Sequence, residues 1–475
     1  MASSFGSINT ALTSLYAQRR GLDVTGQNIA NANTEGYSRQ RVVMQSQVGA
    51  ITPALYATTD GLGTGVAVSD VQRLRDEYLE NRARTEHGNS SYLSTQSAAY
   101  SAIEDVFAEP SDTALQAQLH DMWDAWSDVA NNPQLPAARS ALLQQSGTVA
   151  DGLNSAHDSL ASQWGQTRTQ LSAYADEVNT AATTIAQLND SIVRAKATGV
   201  SVNELVDRRD LQVQHLAELT GATASVRSNG AMDVFVGNST LVSEFTTRQM
   251  TVVGATRLED QAADKATLQW VNPESPVSAG GTMGAMADML TTTIPTISDA
   301  LDDVAKRLAD TVNAAHSAGF SPNGTTGLNL FVSRTTGPIT AGSIMVGIDE
   351  ADKVAVSSVD PTIVVPPATK GTLNNLVADT LTGKSTATEG PDLRYQSMIG
   401  ELGVVAQAST RRSDIQATVT EQVDAAREAQ SGVNLDEEMT NLLTYQRGYE
   451  AASRVLTTID SMLDQLINHT GLVGR

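Results

Sequence analysis

The chain has 475 residues, no cysteine, and a net charge of −22 from 31 basic and 53 acidic side chains. The missing thiols exclude disulfides and thiolate metal sites, and the acidic balance argues against binding to nucleic acid or to anionic lipid. The length predicts about three domains, and the low aromatic content (4%) predicts a core built mainly on Leu, Val, Ile and Ala.

The first predicted element is a helix with a seven-residue hydrophobic repeat. The opening residues, MASSFGSINT, have neither a basic segment nor an apolar run, so no cleaved secretory signal is expected. The repeat positions lie at coiled-coil spacing: Phe5, Ile8, Leu12, Leu15, Leu22 and Ile29. Arg19 and Gly26 interrupt this pattern. The pattern therefore predicts one of the helices of an imperfect coiled coil.

A helix-stop segment and two strands follow. Asn and Gly tolerate left-handed backbone angles, and Asn and Thr side chains can satisfy freed backbone groups. The segment's turn-forming residues are Asn28, Asn31, Asn33, Thr34, Gly36 and Tyr37. Strands are predicted over 39–48 and 66–71.

The middle of the chain combines long helices with short strands. A helix over about 160–199 carries a second heptad series: Trp164, Leu171, Val178, Ile185 and Ile192. A shorter helix is predicted over 203–219, and amphipathic helices over 283–318 and 394–430. Residues 222–242 read as strands with an Asn229-Gly230 turn, and 251–271 are expected to continue that sheet.

The chain closes with a second terminal heptad helix. It is predicted over about 434–468, with Asn434 as its N-cap and Gly471 as a stop. Its apolar positions include Leu435, Leu442, Tyr449, Leu456, Ile459, Leu463 and Leu466. Two helices with such stripes should pair with each other. Before it, residues 333–391 hold short β-branched runs and a Gly/Thr/Ser-rich tail, which predicts a small insertion or a mobile loop.

None of the polar clusters predicts an enzyme, a metal site or a cofactor site. The Gly61–Gly65 run lacks the strand, helix and Lys of a phosphate loop, and the six histidines show no metal-ligand spacing. The cluster Asp207-Arg208-Arg209-Asp210 predicts i, i+3 ion pairs on a solvated or partly buried face. Residues 436–438 place three carboxylates where a helix dipole favours them.

Several motifs resemble one family. The segment NANTEGYS (31–38) after a helix resembles the N-terminus shared by bacterial flagellar rod, hook and hook-associated proteins. The opening SFGSINTAL, the block VDRRDL (206–211), the block AAHSAGF (314–320) and the C-terminal YQRGYEAA (445–452) are similar to the hook-associated protein 1 members of that family. These motifs span nearly the whole chain in the expected order.

The resemblance implies a mainly α fold with smaller β parts, a discontinuous multidomain axial protein. It implies a terminal coiled-coil assembly domain (1–38 plus 431–475) of paired N- and C-terminal helices. A central long-helix bundle with small β-sheet elements (39–332 plus 392–430) and a reduced outer insertion (333–391) complete it.

It also implies a secreted, extracellular structural adaptor at the hook–filament junction, exported by the type III apparatus. The implied partners are other copies of the chain, hook protein, hook-associated protein 3 and a cytoplasmic export chaperone, with no membrane insertion. The terminal apolar residues above would form the assembly interface. Two alternatives remain open, namely another axial component (hook or distal rod protein) and an unrelated secreted coiled-coil filament protein.

Overall fold

Helices make up most of the fold in the computed structural model, which describes residues 4–47, 63–364, 373–384 and 390–469. The helices in these ranges are α1 (Ser4–Ala30), α2 (Glu77–Phe107), α3 (Leu115–Asn131), α4 (Pro136–Ala197), α5 (Asn203–Thr220), α6 (Gly281–Asp288), α7 (Ile294–Ala318), α8 (Leu376–Thr382), α9 (Pro391–Ser431) and α10 (Leu435–Asp464). The strands are β1 (Gln40–Gln47), β2 (Gly65–Arg73), β3 (Thr223–Val226), β4 (Met232–Val236), β5 (Ser239–Ser243), β6 (Thr246–Thr247), β7 (Met250–Val253), β8 (Thr267–Val271), β9 (Glu274–Pro276), β10 (Phe331–Ser333) and β11 (Ile344–Val346). This composition confirms the predicted mainly α class with small β parts. None of the helices described here is long and apolar enough to cross a membrane.

The long helix α4 is the axis of the central body. Its 62 residues extend about 93 Å at 1.5 Å per residue. All five positions of the predicted central heptad series are buried, from Trp164 to Ile192. Helices α3, α5 and α7 and strands β5, β7 and β11 pack along it. The heptad pattern is confirmed here because a helix covered along its length must present an apolar face at each turn.

Helix α2 and the first part of α4 have no counterpart among the predicted elements. The buried positions of α2 include Glu80, Ala83, Arg84 and Gly88, which are charged or small. At Gly88, an added Cβ would lie 2.8 Å from the carbonyl oxygen of Ala217 on α5. Helices that approach each other this closely need small residues at the contact. A pattern of large apolar residues therefore does not predict α2.

The small sheets are all antiparallel. Strand β4 pairs with β3 across the predicted turn, where Gly230 has a φ of +96° and the Asn229 side chain accepts the Ala231 N–H. Strands β3 to β6 form one sheet, whereas β7, β8 and β9 form another. The prediction that 251–271 continue the first sheet is therefore wrong. Asn179 of α4 donates to Met250 O and accepts its N–H, so the start of β7 pairs with a side chain.

A π-helical turn, Met289–Thr293, joins α6 to α7 within the predicted helix over 283–318. Pro295 has no N–H to donate, so the carbonyls about one turn before it lose a helical partner. The indole N–H of Trp164 donates to one of them, Leu290 O, at 3.0 Å. This bond ties the turn to the central helix.

The described part of 333–391 packs on the helical body. Ile344, Val354 and Leu381 are fully buried and share one hydrophobic core with α3, α4 and α7. His316, in the last turn of α7, donates from Nδ1 to Leu328 O at 2.7 Å and accepts the Ala355 N–H at Nε2 (2.9 Å). The imidazole is therefore neutral, and it fixes the segment predicted as an insertion to α7.

Acid should weaken this attachment. Burial lowers the pKa of His316 below its usual 6.5. The unfolded chain therefore binds the proton first, and stability falls as the pH drops from about 6.5 towards the lowered pKa. His316→Gln should be less stable than wild type at pH 7.5 by about 1–3 kcal/mol, because backbone groups lose a partner. The difference in free energy of unfolding between the two proteins should be smaller at pH 5.5. Urea unfolding followed by tryptophan fluorescence measures it.

The exposed His120 provides a matched control, since His120→Gln removes an imidazole that lies on the surface. That variant should follow the wild-type pH profile. Parallel profiles for His316→Gln and wild type would contradict the assignment of a neutral, buried imidazole.

Candidate assembly interface

The two terminal helices pack along each other as an antiparallel pair. Gln18 contacts Gly448, Gly21 contacts Tyr445, and Asn28 donates to Glu438. Partners therefore run in opposite directions along the two helices. This pairing confirms the predicted fold for the termini, which are separated by most of the chain.

Small residues line the tightest part of the contact. A Cβ added to Gly21 would lie 2.6–2.8 Å from three ring carbons of Tyr445. The buried positions of α1 are Ala11, Ala17, Gly21, Val24, Thr25 and Asn28. Four of them, 17, 21, 24 and 28, follow a 4-3-4 spacing, which is the sequence signal that a search for large apolar residues misses.

The predicted interface residues fall into two groups. Partly buried are Ile8, Leu15, Leu22, Ile29, Leu442, Leu456, Ile459 and Leu463. Exposed are Leu12, Leu435, Tyr449 and Leu466. The side chain of Phe5 and the predicted stop at Gly471 lie outside the described residues. In the antiparallel register, Leu435 lies level with the end of α1 and Leu466 beyond its start, so α1 does not cover either one.

The contact predicts opposite effects for two glycines of one helix. Gly26→Ala should stabilise α1 by about 1 kcal/mol, because alanine is the better helix former and no heavy atom lies within 4 Å of the new Cβ. Gly21→Ala should instead loosen the pair, because its Cβ overlaps the Tyr445 ring. Hydrogen exchange over 438–452 should slow in the first variant and accelerate in the second.

A rescue separates the clash from other causes. Tyr445→Leu in the Gly21→Ala background should restore protection, since leucine can move away from the new methyl group. Equal protection in the two alanine variants would contradict the close contact.

The helix-stop segment over 28–37 is a hydrogen-bonded joint built around Asn28. Its Nδ2 donates to Gln40 O (2.9 Å) and to Glu438 Oε2 (3.0 Å). Its Oδ1 accepts the Gln40 N–H (3.0 Å) and the Tyr37 hydroxyl (2.8 Å). One buried amide therefore joins α1, β1 and α10. Burial and the nearby carboxylates of Asp207 and Glu438 raise the pKa of Tyr37 to about 12, so its hydroxyl remains a donor.

The other turn residues act locally. Asn31 Nδ2 donates to Gln27 O, and Thr34 Oγ1 donates to Asn31 Oδ1. Among the predicted turn residues, Gly36 alone has a positive φ, +76°. The helix therefore ends without an asparagine in the left-handed region, and the Asn31 side chain caps its last turn. Asn33 is exposed.

The carboxylates at the start of α10 bind across the joint. Arg39 pairs with Glu437 at 2.7 Å and with Glu438 at 2.8 Å. Glu438 is 2% exposed and also accepts from Asn28. The helix dipole favours the exposed acids at 436 and 437, and Arg39 also pairs with the second of them, whereas Glu438 is buried because two donors satisfy it. The predicted N-cap is confirmed, since Asn434 accepts the N–H groups of residues 436 and 437.

Strand β2 meets α1 where only glycine fits. Gly65 has a φ of +115°, and an added Cβ would overlap the Thr13 hydroxyl. Thr13 Oγ1 accepts the Val66 N–H at 3.4 Å. The described end of the Gly-rich run therefore leads directly into a strand.

A buried ion network ties the hairpin β1–β2 to α5. Arg73 Nη1 contacts Asp207 at 2.7 Å and Asp210 at 3.2 Å, and Arg75 contacts Asp210 at 2.5 Å and Glu80 at 2.5 Å. The prediction of i, i+3 pairs within the 207–210 cluster is wrong. Its carboxylates turn inward because arginines at and just after the end of β2 supply the partners. The described residues contain no group of three or more side chains placed to bind a metal ion.

Comparisons with known proteins find separate matches for the central region and for the two terminal regions. A family model described as the flagellar hook-associated protein FlgK helical domain matches residues 100–331. Models of a flagella basal body rod protein and of the flagellar basal body rod FlgEFG protein C-terminal region match 8–37 and 427–469, which contain most of α1 and α10. Flagellar hook-associated protein 1 of Bacillus subtilis is 29% identical, and the alignment covers 100% of both chains. The chain is therefore similar along its whole length to the flagellar hook-associated protein 1 proteins.

A second hook-associated protein 1 relative also aligns along nearly the whole chain. The Escherichia coli protein is 26% identical, with 97% of this chain and 99% of that protein aligned. A solved structure, described as the flagellar hook junction protein FlgK from Burkholderia pseudomallei, has a TM-score of 0.63 at 16% identity. It covers 74% of this chain and 100% of that one, and it shows the shared fold.

Proposed function

We propose that this chain is the structural adaptor that joins the flagellar hook to the filament, with no catalytic step. Copies of it would form a ring or helical tier on the distal end of the hook. Hook-associated protein 3 and then the filament would follow above. The similarity along the whole chain supports this role, as does the description of the Burkholderia relative as a hook junction protein.

The apolar surface that the terminal pair leaves uncovered is the observation that carries the proposal. On α10, these exposed side chains include Leu435, Met439, Leu443, Val455 and Met462. Each leucine that becomes fully buried between neighbouring copies could contribute about 1.5–3 kcal/mol. Heterologous contacts of this kind produce closed rings or open helical lattices.

We propose the terminal segments 1–38 and 431–475 as the assembly domain. In this view the terminal pair gains order when it enters the assembly, because neighbouring copies cover apolar faces that water contacts in the free chain. The central body, with its own buried core, would fold without that help. The predicted interface residues would act together at these contacts.

Delivery by type III export fits the composition. A chain without cysteine can stay unfolded without forming disulfides during passage through a narrow channel. We propose that an export chaperone covers the C-terminal helix in the cytoplasm, since α10 carries more exposed apolar residues than α1. The mature protein would act outside the cell, on the flagellum.

Deletion of the gene tests the junction role. We expect cells that build hooks, lack filaments and shed flagellin-like monomer into the medium, with normal filaments restored by the intact gene. The rod-type matches at both ends favour one alternative, another axial component such as a hook or distal rod protein. Loss of the hooks themselves would favour that alternative, and normal filaments in the deletion strain would contradict the proposal.

A further inference from the structure

A cavity of about 800 Å³ lies between β2, the start of α2, the end of α4 and α5. Although the protein carries a net charge of −22, basic side chains outnumber carboxylates in its lining. The basic side chains are Arg20, Arg73, Arg75, Arg84, Lys196 and Arg209. The carboxylates are Asp70, Glu77, Glu80 and Asp210. The cavity therefore concentrates positive charge on an acidic protein.

The two buried carboxylates of the lining already have arginine partners. Asp210 Oδ2 accepts from Arg73 and Arg75. Glu80 accepts from Arg75 at one oxygen and from Arg427 at the other. These contacts use Arg73 and Arg75, and they leave two carboxylates of the lining, Asp70 and Glu77, against the four other basic groups.

Within the part of the chain that the structure describes, three of the basic side chains form no ion pair, and a fourth, Arg209, has only a long one. Arg84 is buried, and it donates to the neutral Asn81 side chain. Arg209 is 2% exposed and donates to the neutral Asn189 Oδ1 and Gly230 O, with Asp210 3.6 Å away. Burial lowers the pKa of both arginines, which reflects the cost of their poorly balanced charge.

The remaining two basic groups are on the rim. Lys196 and Arg20 are exposed, and within the described ranges neither forms an ion pair. The Lys196 chain lies over Gly230, with its Nζ 3.5 Å from the position of an added Cβ. Since Arg209 donates to the carbonyl of the same glycine, a buried and an exposed cation flank one point of the wall.

We propose that this cavity binds an oxyanion, a carboxylate or a phosphate. Guanidinium groups suit such ligands because their planar donors match two oxygens, and partial burial strengthens the attraction. The volume exceeds what one inorganic phosphate needs, so an acidic side chain of a second copy of this chain would also fit. This inference does not depend on the proposed junction role.

Isothermal titration of the full chain with inorganic phosphate and with pyrophosphate tests the site. We expect saturable binding, which is stronger for pyrophosphate. Lys196→Glu should weaken it by about tenfold or more, because it replaces an attractive rim charge by a repulsive one. Lys265→Glu gives the same change in net charge at an exposed lysine outside the cavity, and it should bind like wild type.

Two further measurements keep the outcome interpretable. Unchanged tryptophan fluorescence in Lys196→Glu would show an intact body, and Arg84→Gln should also weaken binding if that variant keeps the same emission. No binding by wild type, or equal binding by the Lys196 and Lys265 variants, would overturn the proposal. Sodium chloride at matched ionic strength should not reproduce the titration.

The source of the anion follows from competition. If pyrophosphate blocks association of concentrated wild-type chain and Lys196→Glu fails to associate, an acidic side chain of another copy occupies the cavity. If neither pyrophosphate nor the Lys196→Glu substitution changes the association, the ligand is a free anion.

Discussion

Asn28→Asp should lower the free energy of unfolding of the terminal pair by about 2–4 kcal/mol, the range for a buried polar group that loses its donors and faces a like charge. The new carboxylate cannot donate to Gln40 O, and it would face the buried carboxylate of Glu438, which now lies 3.0 Å from Asn28 Nδ2. Hydrogen exchange over 434–452 measures the effect, with faster exchange expected. Because α1, β1 and α10 meet at this amide, all three should loosen together.

A charge exchange tests the physical reason. Glu438→Gln in the Asn28→Asp background returns an amide and a carboxylate to the pair, in reversed order, and should recover part of the lost stability. Asn33→Asp, at an exposed position of the same segment, should have little effect. If the double variant were no more stable than Asn28→Asp, repulsion from Glu438 would not be the cause.

The parts of the fold that the sequence predicts are those with uninterrupted apolar periodicity. Trp164 to Ile192 repeat every seven residues and are buried, so the helix and its face both follow from the pattern. Helix α2 could not be found this way, because its buried face contains Gly88 and the ion-paired Glu80. Its packing depends on partners in α5 and α9 that a local pattern does not contain.

The same limit applies to the joint. From the sequence, Asn28 predicts a helix stop and Glu438 predicts a favourable charge at a helix start. Their hydrogen bond joins positions 410 residues apart, and it follows only from the antiparallel register of α1 and α10. Likewise, Asp207 and Asp210 are buried because Arg73 and Arg75 reach them from another element. Local spacing in the sequence points to the residues that form these contacts, but it does not identify their partners.

Leu456→Asp should abolish filament attachment while it leaves the central body folded. Leu456 is partly buried, between the buried Ala452 one turn before it and the partly buried Ile459. The antiparallel register places it level with Thr10, next to the buried Ala11 of α1. Aspartate removes apolar burial worth up to about 1.5–3 kcal/mol and adds a charge that is costly to dehydrate. Cells with this variant should build hooks without filaments, as counted by electron microscopy.

The neighbouring Thr457 provides the matched control, because it is exposed on the same turn and Thr457→Asp introduces the same charge. That variant should assemble normally. All four tryptophans, Trp123, Trp126, Trp164 and Trp270, are buried in the central body, so their fluorescence reports on that body and not on the terminal helices. An unchanged urea transition in Leu456→Asp would therefore separate a failure of assembly from unfolding. Normal filaments on Leu456→Asp cells would show that this face of α10 is not needed at the junction.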